Sequence, residues 1–202
     1  MAAQPLFPGG VPAVGPVAVA FDVPAHGPGS NDRAVAWCVR ASIDRRRGGD
    51  ASSEAPLTVL TPASALAALP QTSGELQGDL AMTLEASPRT LRGGDTVSGT
   101  LTLAPTADVS ARAVRVELRW RRADNDDECS VVETEAQEQL LAGVDLAGGG
   151  SRTLPFSLAV PQGAPPSFEA KHSRLRWTVE GIVDRRGKDD RRVAVQGNVH
   201  NA

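Results

Sequence analysis

Residues 156–186 read FSLAVPQGAPPSFEAKHSRLRWTVEGIVDRR, and their pattern decides the fold. Leu175, Trp177, Val179, Gly181 and Val183 fall on alternate positions, with Arg176, Thr178 and Glu180 between them. That is the two-residue period of a strand with one buried face. A second copy lies earlier, where Val35, Trp37, Val39, Ala41 and Ile43 repeat the apolar face and Arg40 and Ser42 occupy the other. Both runs end alike, in Asp44-Arg45-Arg46 and Asp184-Arg185-Arg186, so the pattern W-x-V-x-[AG]-x-[IV]-D-R-R occurs twice, 140 positions apart. Upstream of each lies an alternating run closed by proline: Val17, Val19, Phe21 and Val23 before Pro24, and Phe156, Leu158 and Val160 before Pro161. Two elements in the same order in both halves read as a duplication.

The composition suits this reading. Gly (20) and Pro (15) stand at the ends of alternating apolar runs, as expected for many short strands joined by turns. With 21 basic and 24 acidic side chains the net charge is −3, which gives no bulk attraction to nucleic acid or anionic membranes. The N-terminus lacks a basic start and is broken by prolines, so it reads neither as a signal peptide nor as a membrane span. Two cysteines, Cys38 and Cys129, one in each half, suggest neither a metal site nor a disulfide framework, and the expectation is a reduced, cytoplasmic protein. Tyrosine is absent, so Trp37, Trp120, Trp177 and the phenylalanines, Phe156 among them, are the expected core anchors.

Taken in order, residues 1–15 lack any period and read as a mobile tail. Residues 16–62 form a partial unit of three strands: Val17–Val23, Arg33–Arg45 and a short closing strand at Leu57–Leu60, with a polar loop at 48–53. Residues 63–78 are a linker, in which PASALAAL (62–69) predicts a short helical turn. Residues 79–202 carry seven strands over about 120 residues, which predicts a two-sheet antiparallel immunoglobulin-like sandwich. In that unit Leu80, Met82 and Leu84 start the first strand; Val97, Gly99, Leu101 and Leu103 face inward on the second; Val114, Val116, Leu118 and Trp120 on the third. Arg115, Glu117, Arg119 and Arg121 then face water, Asp124–Glu128 form an acidic tip, and Ser130–Gln139 are a weaker strand.

The later copy, with Phe156-x-Leu158-x-Val160-Pro161, Pro165-Pro166-Ser167-Phe168-Glu169 and Arg176-Trp177-x-Val179-x-Gly181-x-Val183-Asp184-Arg185, resembles the back half of an arrestin-type β-sandwich domain. Leu91-Arg92-Gly93-Gly94-Asp95-Thr96-Val97-Ser98-Gly99 is similar to the turn and second strand that open such a domain. The resemblance covers about the last 125 residues and roughly 45 of the first half, is built from strand and turn residues, and extends to bacterial arrestin-like and sporulation-control-type relatives. It implies a tandem-sandwich, non-catalytic scaffold or adaptor, in regulation or trafficking, that binds protein partners through sheet edges and loops. The rival expectation is a structural or carbohydrate-binding accessory module of a larger assembly.

Catalytic and metal chemistry find little support. His26, His172 and His200 form no spaced pair with another ligand. Ser167 lacks a G-x-S-x-G setting, and Gly93-Gly94 and Gly148–Gly150 precede strands without a following Lys-Ser/Thr and helix. The acidic residues Asp124, Asp126, Asp127, Glu128, Glu133, Glu135 and Glu138 lack the spacing of a calcium loop. No cofactor, no catalytic residue and no metal site are expected. The candidate anion or partner contacts are the basic corners Arg45, Arg46, Arg185 and Arg186, since guanidinium groups pair with anions in a bidentate way; the simpler reading is a solvated hairpin turn. Partial strands at 16–62 bury too little surface to fold alone, so either they pair with something else, self-association included, or the chain lacks its natural start.

Overall fold

The computed structural model describes residues 18–23, 28–30, 35–43, 49–66, 69, 74–124, 129–170 and 173–202. Twelve strands are found among them: β1 (Trp37–Ile43), β2 (Ala51–Leu57), β3 (Gly74–Leu76), β4 (Leu80–Ser87), β5 (Thr90–Arg92), β6 (Thr96–Pro105), β7 (Val109–Asp124), β8 (Cys129–Leu146), β9 (Arg152–Ala159), β10 (Phe168–Glu169), β11 (Ser173–Arg185) and β12 (Arg191–His200). A four-stranded sheet runs β3-β4-β6-β9, and a larger one runs β5-β12-β11-β7-β8 with β10 beside β11. Every pairing is antiparallel except that of β12 with β5.

The two sheets close on the alternating residues of each strand. Leu80, Met82 and Leu84, Leu101 and Leu103, and Leu154, Phe156 and Leu158 come from the smaller sheet. Val114, Leu118 and Trp120, Leu175, Trp177 and Val183, and Val193 and Val199 come from the larger. Each fully buried aliphatic or aromatic side chain contributes about 1.5–3 kcal/mol, so the interleaved rows hold the sandwich together. Gly181 lets the sheets approach closely, since a Cβ there would lie 2.8 Å from Leu101 Cδ1. On the outer face of the smaller sheet hydroxyls pair across strands, Thr102 with Thr153 at 3.0 Å and Ser98 with Ser157 at 3.3 Å.

Trp177, wholly buried, donates its indole N–H to the Pro165 carbonyl at 2.9 Å. That fastens the buried 164–168 segment over the end of the core. Ser167 then braces β12: its backbone N–H donates to the Val199 carbonyl at 2.7 Å and its Oγ accepts from the Val199 N–H at 2.9 Å.

The hairpin β1–β2 repeats these contacts. Trp37 pairs with Leu57 as Trp177 pairs with Gly197, and Val39 with Ala55 as Val179 with Val195, so the two registers coincide under a shift of 140 residues. Trp37 donates to the Pro28 carbonyl at 2.8 Å, and Ser30 holds Val59 through two bonds of 2.7 Å, one from its N–H and one to its Oγ. What differs is the surroundings. β11 lies between β12 and β7, whereas β1 pairs only with β2 among the described residues. Asn201 fastens the base of the hairpin to the sandwich, accepting from the Thr61 N–H at 2.7 Å and donating to the Ser30 carbonyl at 3.0 Å.

Several expectations need correction. Residues 18–23 form no strand, and Val19, Phe21 and Val23 are 43–46% exposed, because no neighbouring strand uses their alternation. Trp37 is half-buried, not a core anchor, and Val39, Ile43 and Leu57 of its hairpin are exposed, because among the described residues no second sheet faces them. Ala51–Ser53, expected in a loop, belong to β2, while residues 58–60 do not; the register of β1 outweighs the polarity of the segment. The helical turn in the linker shortens to a 3-10 turn at Ala63–Ala65, and Gly74–Leu76 joins the smaller sheet beside β4. Within the expected 88–95 turn, β5 pairs in parallel with β12, and β8 runs 18 residues, well past Gln139. The expected tail at 1–15 lies outside the described residues.

Candidate interaction site

Two charged clusters sit on the larger sheet. The first gathers at the end of the sandwich, where the approach to β4 meets the β11–β12 turn. Asp79 Oδ2 accepts from Arg185 Nη1 at 2.8 Å, Asp79 Oδ1 accepts from Arg191, and Arg185 Nε donates to the Asp189 carbonyl at 3.0 Å. The bond from Arg191, reinforced by Arg185, holds the Asp79 carboxyl at about 2, below its ordinary 3.8, against the opposing pull of partial desolvation. This cluster ties the entry of the domain to its last hairpin.

The second cluster is a lattice on the outward face of β7, β11 and β12. The register opposes Glu117 to Glu180, a like-charge pair that is unfavourable by itself. Arg119 resolves it, with Nη1 2.9 Å from Glu180 and Nε 3.7 Å from Glu117. Arg115 adds a 2.7 Å bond to Glu117, and Arg192 approaches Glu180 at 3.4 Å. Further along the same strands, the register opposes Arg121 to Arg176. Arg176 leans away to Glu169 at 3.1 Å, and Arg121 has no carboxylate partner among the described residues. A shallow groove of about 490 Å³ lies here, lined by Arg119, Arg121, Arg174, Arg176 and Arg192, with Glu180 as its one carboxylate among the described residues.

The sequence-predicted contacts divide. Arg45 and Arg46 lie outside the described residues. Arg185 is 7% exposed and engaged at both ends of its guanidinium, so it is a structural cation; its Asp79 partner, 106 positions away, is invisible to local pattern. Arg186 is exposed in the turn, its backbone N–H bonded to the Ser110 carbonyl at 3.2 Å. Of the anchors, Trp120, Trp177 and Phe156 are buried; the Trp120 indole donates to Glu135 at 2.7 Å. Glu138 accepts from the Ser157 N–H at 2.7 Å, so part of the acidic stretch serves the sandwich; 125–128 lie outside the described residues. His200 contacts the Ala202 carbonyl, Cys38 is a free exposed thiol, and His26 and His172 lie outside the described residues. The outward direction of Arg115, Arg119 and Arg121 is readable from alternation, but their meeting with Arg174, Arg176 and Arg192 follows only from strand order.

The sequence model of the arrestin (or S-antigen) N-terminal domain matches residues 80–199. The chain belongs to the arrestin family. The arrestin-type domain so defined begins at β4 and ends in β12, leaving the β1–β2 hairpin outside the match. Among solved structures the fold is similar to the crystal structure of Spo0M, a sporulation control protein from Bacillus subtilis, at TM-score 0.52 and 19% identity. That likeness covers 62% of this chain and 51% of that one, so the chain spans about half the length of its structural relative. No curated protein matches the chain by sequence. Members of this family are generally non-enzymatic, adaptor-type scaffolds. Among the described residues no helix is long and apolar enough to cross a membrane.

Proposed function

We infer that this protein is an arrestin-type adaptor that engages protein partners through strand edges, with the β1–β2 hairpin as its recruiting element, and that its setting is regulatory and cytoplasmic. The observation that carries the reading is the hairpin itself. It shares the register and the tryptophan and serine contacts of β11–β12, which supports an internal duplication and a partial N-terminal unit. In the later copy β7 lies against β11 over the whole length of the strand; the corresponding edge of β1 is open among the described residues, with exposed Val39 and Ile43 beside it. An open edge offers unpaired N–H and C=O groups to an incoming strand, and apolar positions on one face give the added strand its specificity. Two copies meeting through this edge is the self-associating form of the same reading. The exposed Arg186 corner supplies a rim contact, whereas Arg185 is committed to Asp79. The regulatory setting is supported by the likeness to a sporulation control protein. A carbohydrate-binding role has less support, since Phe21 is the one exposed aromatic side chain among the described residues.

The test uses a synthetic peptide of residues 113–121, the segment that lies against β11 in the later copy. Added to the full chain, it is expected to slow amide hydrogen exchange at 37–43 without changing exchange in β11. If the β1 amides are already protected in dilute, monomeric protein, or stay unprotected with saturating peptide, the edge is not a recruiting element.

A further inference from the structure

We propose that the outward face of the larger sheet, centred on Arg121 and Arg176, binds an acidic, unphosphorylated segment of a protein partner. This rests on the adaptor reading and assigns it a second contact surface, distinct from the hairpin edge. Two like-charge oppositions lie on the same pair of strands. Glu117 and Glu180 face each other and are reconciled by Arg119 lying between them. Arg121 and Arg176 face each other with no carboxylate bridging the two among the described residues. Opposed like charges destabilise a sheet, and a local conflict of this kind, beside one that the chain itself reconciles, points to a site completed from outside.

The chemistry of the missing group is set by its neighbours. The guanidinium groups of this lattice rest on carboxylates: Arg115 on Glu117, Arg119 and Arg192 on Glu180, Arg176 on Glu169. A carboxylate from a partner placed between Arg121 and Arg176 repeats the arrangement that Arg119 makes with the opposite sign, and guanidinium forks match it in bidentate geometry. Val132, 42% exposed, borders the groove beside Arg121 and offers an apolar contact for a side chain adjacent to the acid. Glu180 inside the groove and the net charge of −3 disfavour a polyanion with closely spaced phosphates and favour spaced single charges.

The experiment is fluorescence anisotropy with the full chain and a labelled peptide alternating Glu and Leu, beside a peptide with Glu replaced by Gln and a phosphoserine peptide of equal net charge. Wild type is compared with Arg121→Glu and Arg176→Glu. The expected result is binding of the acidic peptide that weakens at least tenfold in each variant and falls with added salt, with the Gln peptide inert. Equal binding to wild type and variants overturns the proposal, and so does a phosphoserine peptide that binds more than tenfold tighter than the acidic one, or an acidic peptide that does not bind. A second measurement needs no ligand: Arg121→Glu places an acid opposite Arg176, so its thermal midpoint is expected to hold or rise, and a fall refutes the premise of an unresolved opposition. Since neither substitution touches β1 or β2, protection of 37–43 by the 113–121 peptide is unaffected by failure here. Loss of that protection alone sinks the hairpin reading and leaves this face standing.

Discussion

Replacing Trp177 and, separately, Trp37 by phenylalanine compares one hydrogen bond in two surroundings. Both indoles donate to a proline carbonyl, at 2.9 Å and 2.8 Å. Trp177 is 0% exposed between two sheets. Trp177→Phe leaves a buried carbonyl without its donor, at about 1–3 kcal/mol. The smaller ring also leaves a void of roughly 40 Å³, which at ~24 cal/mol per Å³ is about 1 kcal/mol. The sum, about 3 kcal/mol, lowers the unfolding midpoint of a domain this size by roughly 10 °C. Trp37 is half-buried, so water can take the place of its indole at Pro28, and Trp37→Phe is expected to cost only about 0.5–1 kcal/mol, confined to the hairpin. The assay is urea and thermal unfolding by far-ultraviolet circular dichroism, which does not depend on the fluorophore removed. Equal midpoint shifts in the two variants would refute the reasoning, because they would place Trp37 in a covered core like that of Trp177.

Two further outcomes follow from the contacts. The Asp79 carboxyl titrates near 2 when folded and at its ordinary 3.8 when unfolded, so its contribution to stability is present above about pH 4 and is lost as the pH falls through 2. Wild type is therefore expected to be more stable than Asp79→Asn at neutral pH, with the gap closing between pH 4 and pH 2; a gap independent of pH over that range rules out ion pairing with Arg185 and Arg191 as its source. Asn201→Ala removes the side-chain bonds to Thr61 and Ser30, each worth about 1 kcal/mol, and is expected to raise hydrogen exchange in 37–59 while leaving β4–β12 unchanged. Unchanged exchange in the hairpin means that Asn201 does not hold it.

Much of the sandwich was legible because a strand with one dry face must alternate. β4, β6, β7, β9, β11 and β12 each bury the residues whose alternation marks them. Elements without a period of their own escaped: β5 and β3 are three residues long and exist because a neighbour presents an edge. The run Val19, Phe21, Val23 shows the converse, since alternation alone makes no strand when nothing pairs with it. The site was legible in part. Arg121 and Arg119 were read as solvent-facing, but Asp79 carries no local mark of its role.

The repeated tryptophan pattern in the sequence determined that two hairpins of one kind occur, 140 residues apart, and that the later one belongs to an arrestin-type sandwich. A two-residue period and a turn proline act over a few neighbouring residues, so the linear order carries them whole. Only tertiary structure decided which hairpin is covered and which charges meet. Those outcomes depend on residues far apart in the chain lying side by side: β7 against β11 sets Arg121 opposite Arg176 and Glu117 opposite Glu180, and among the described residues no second sheet closes over Trp37.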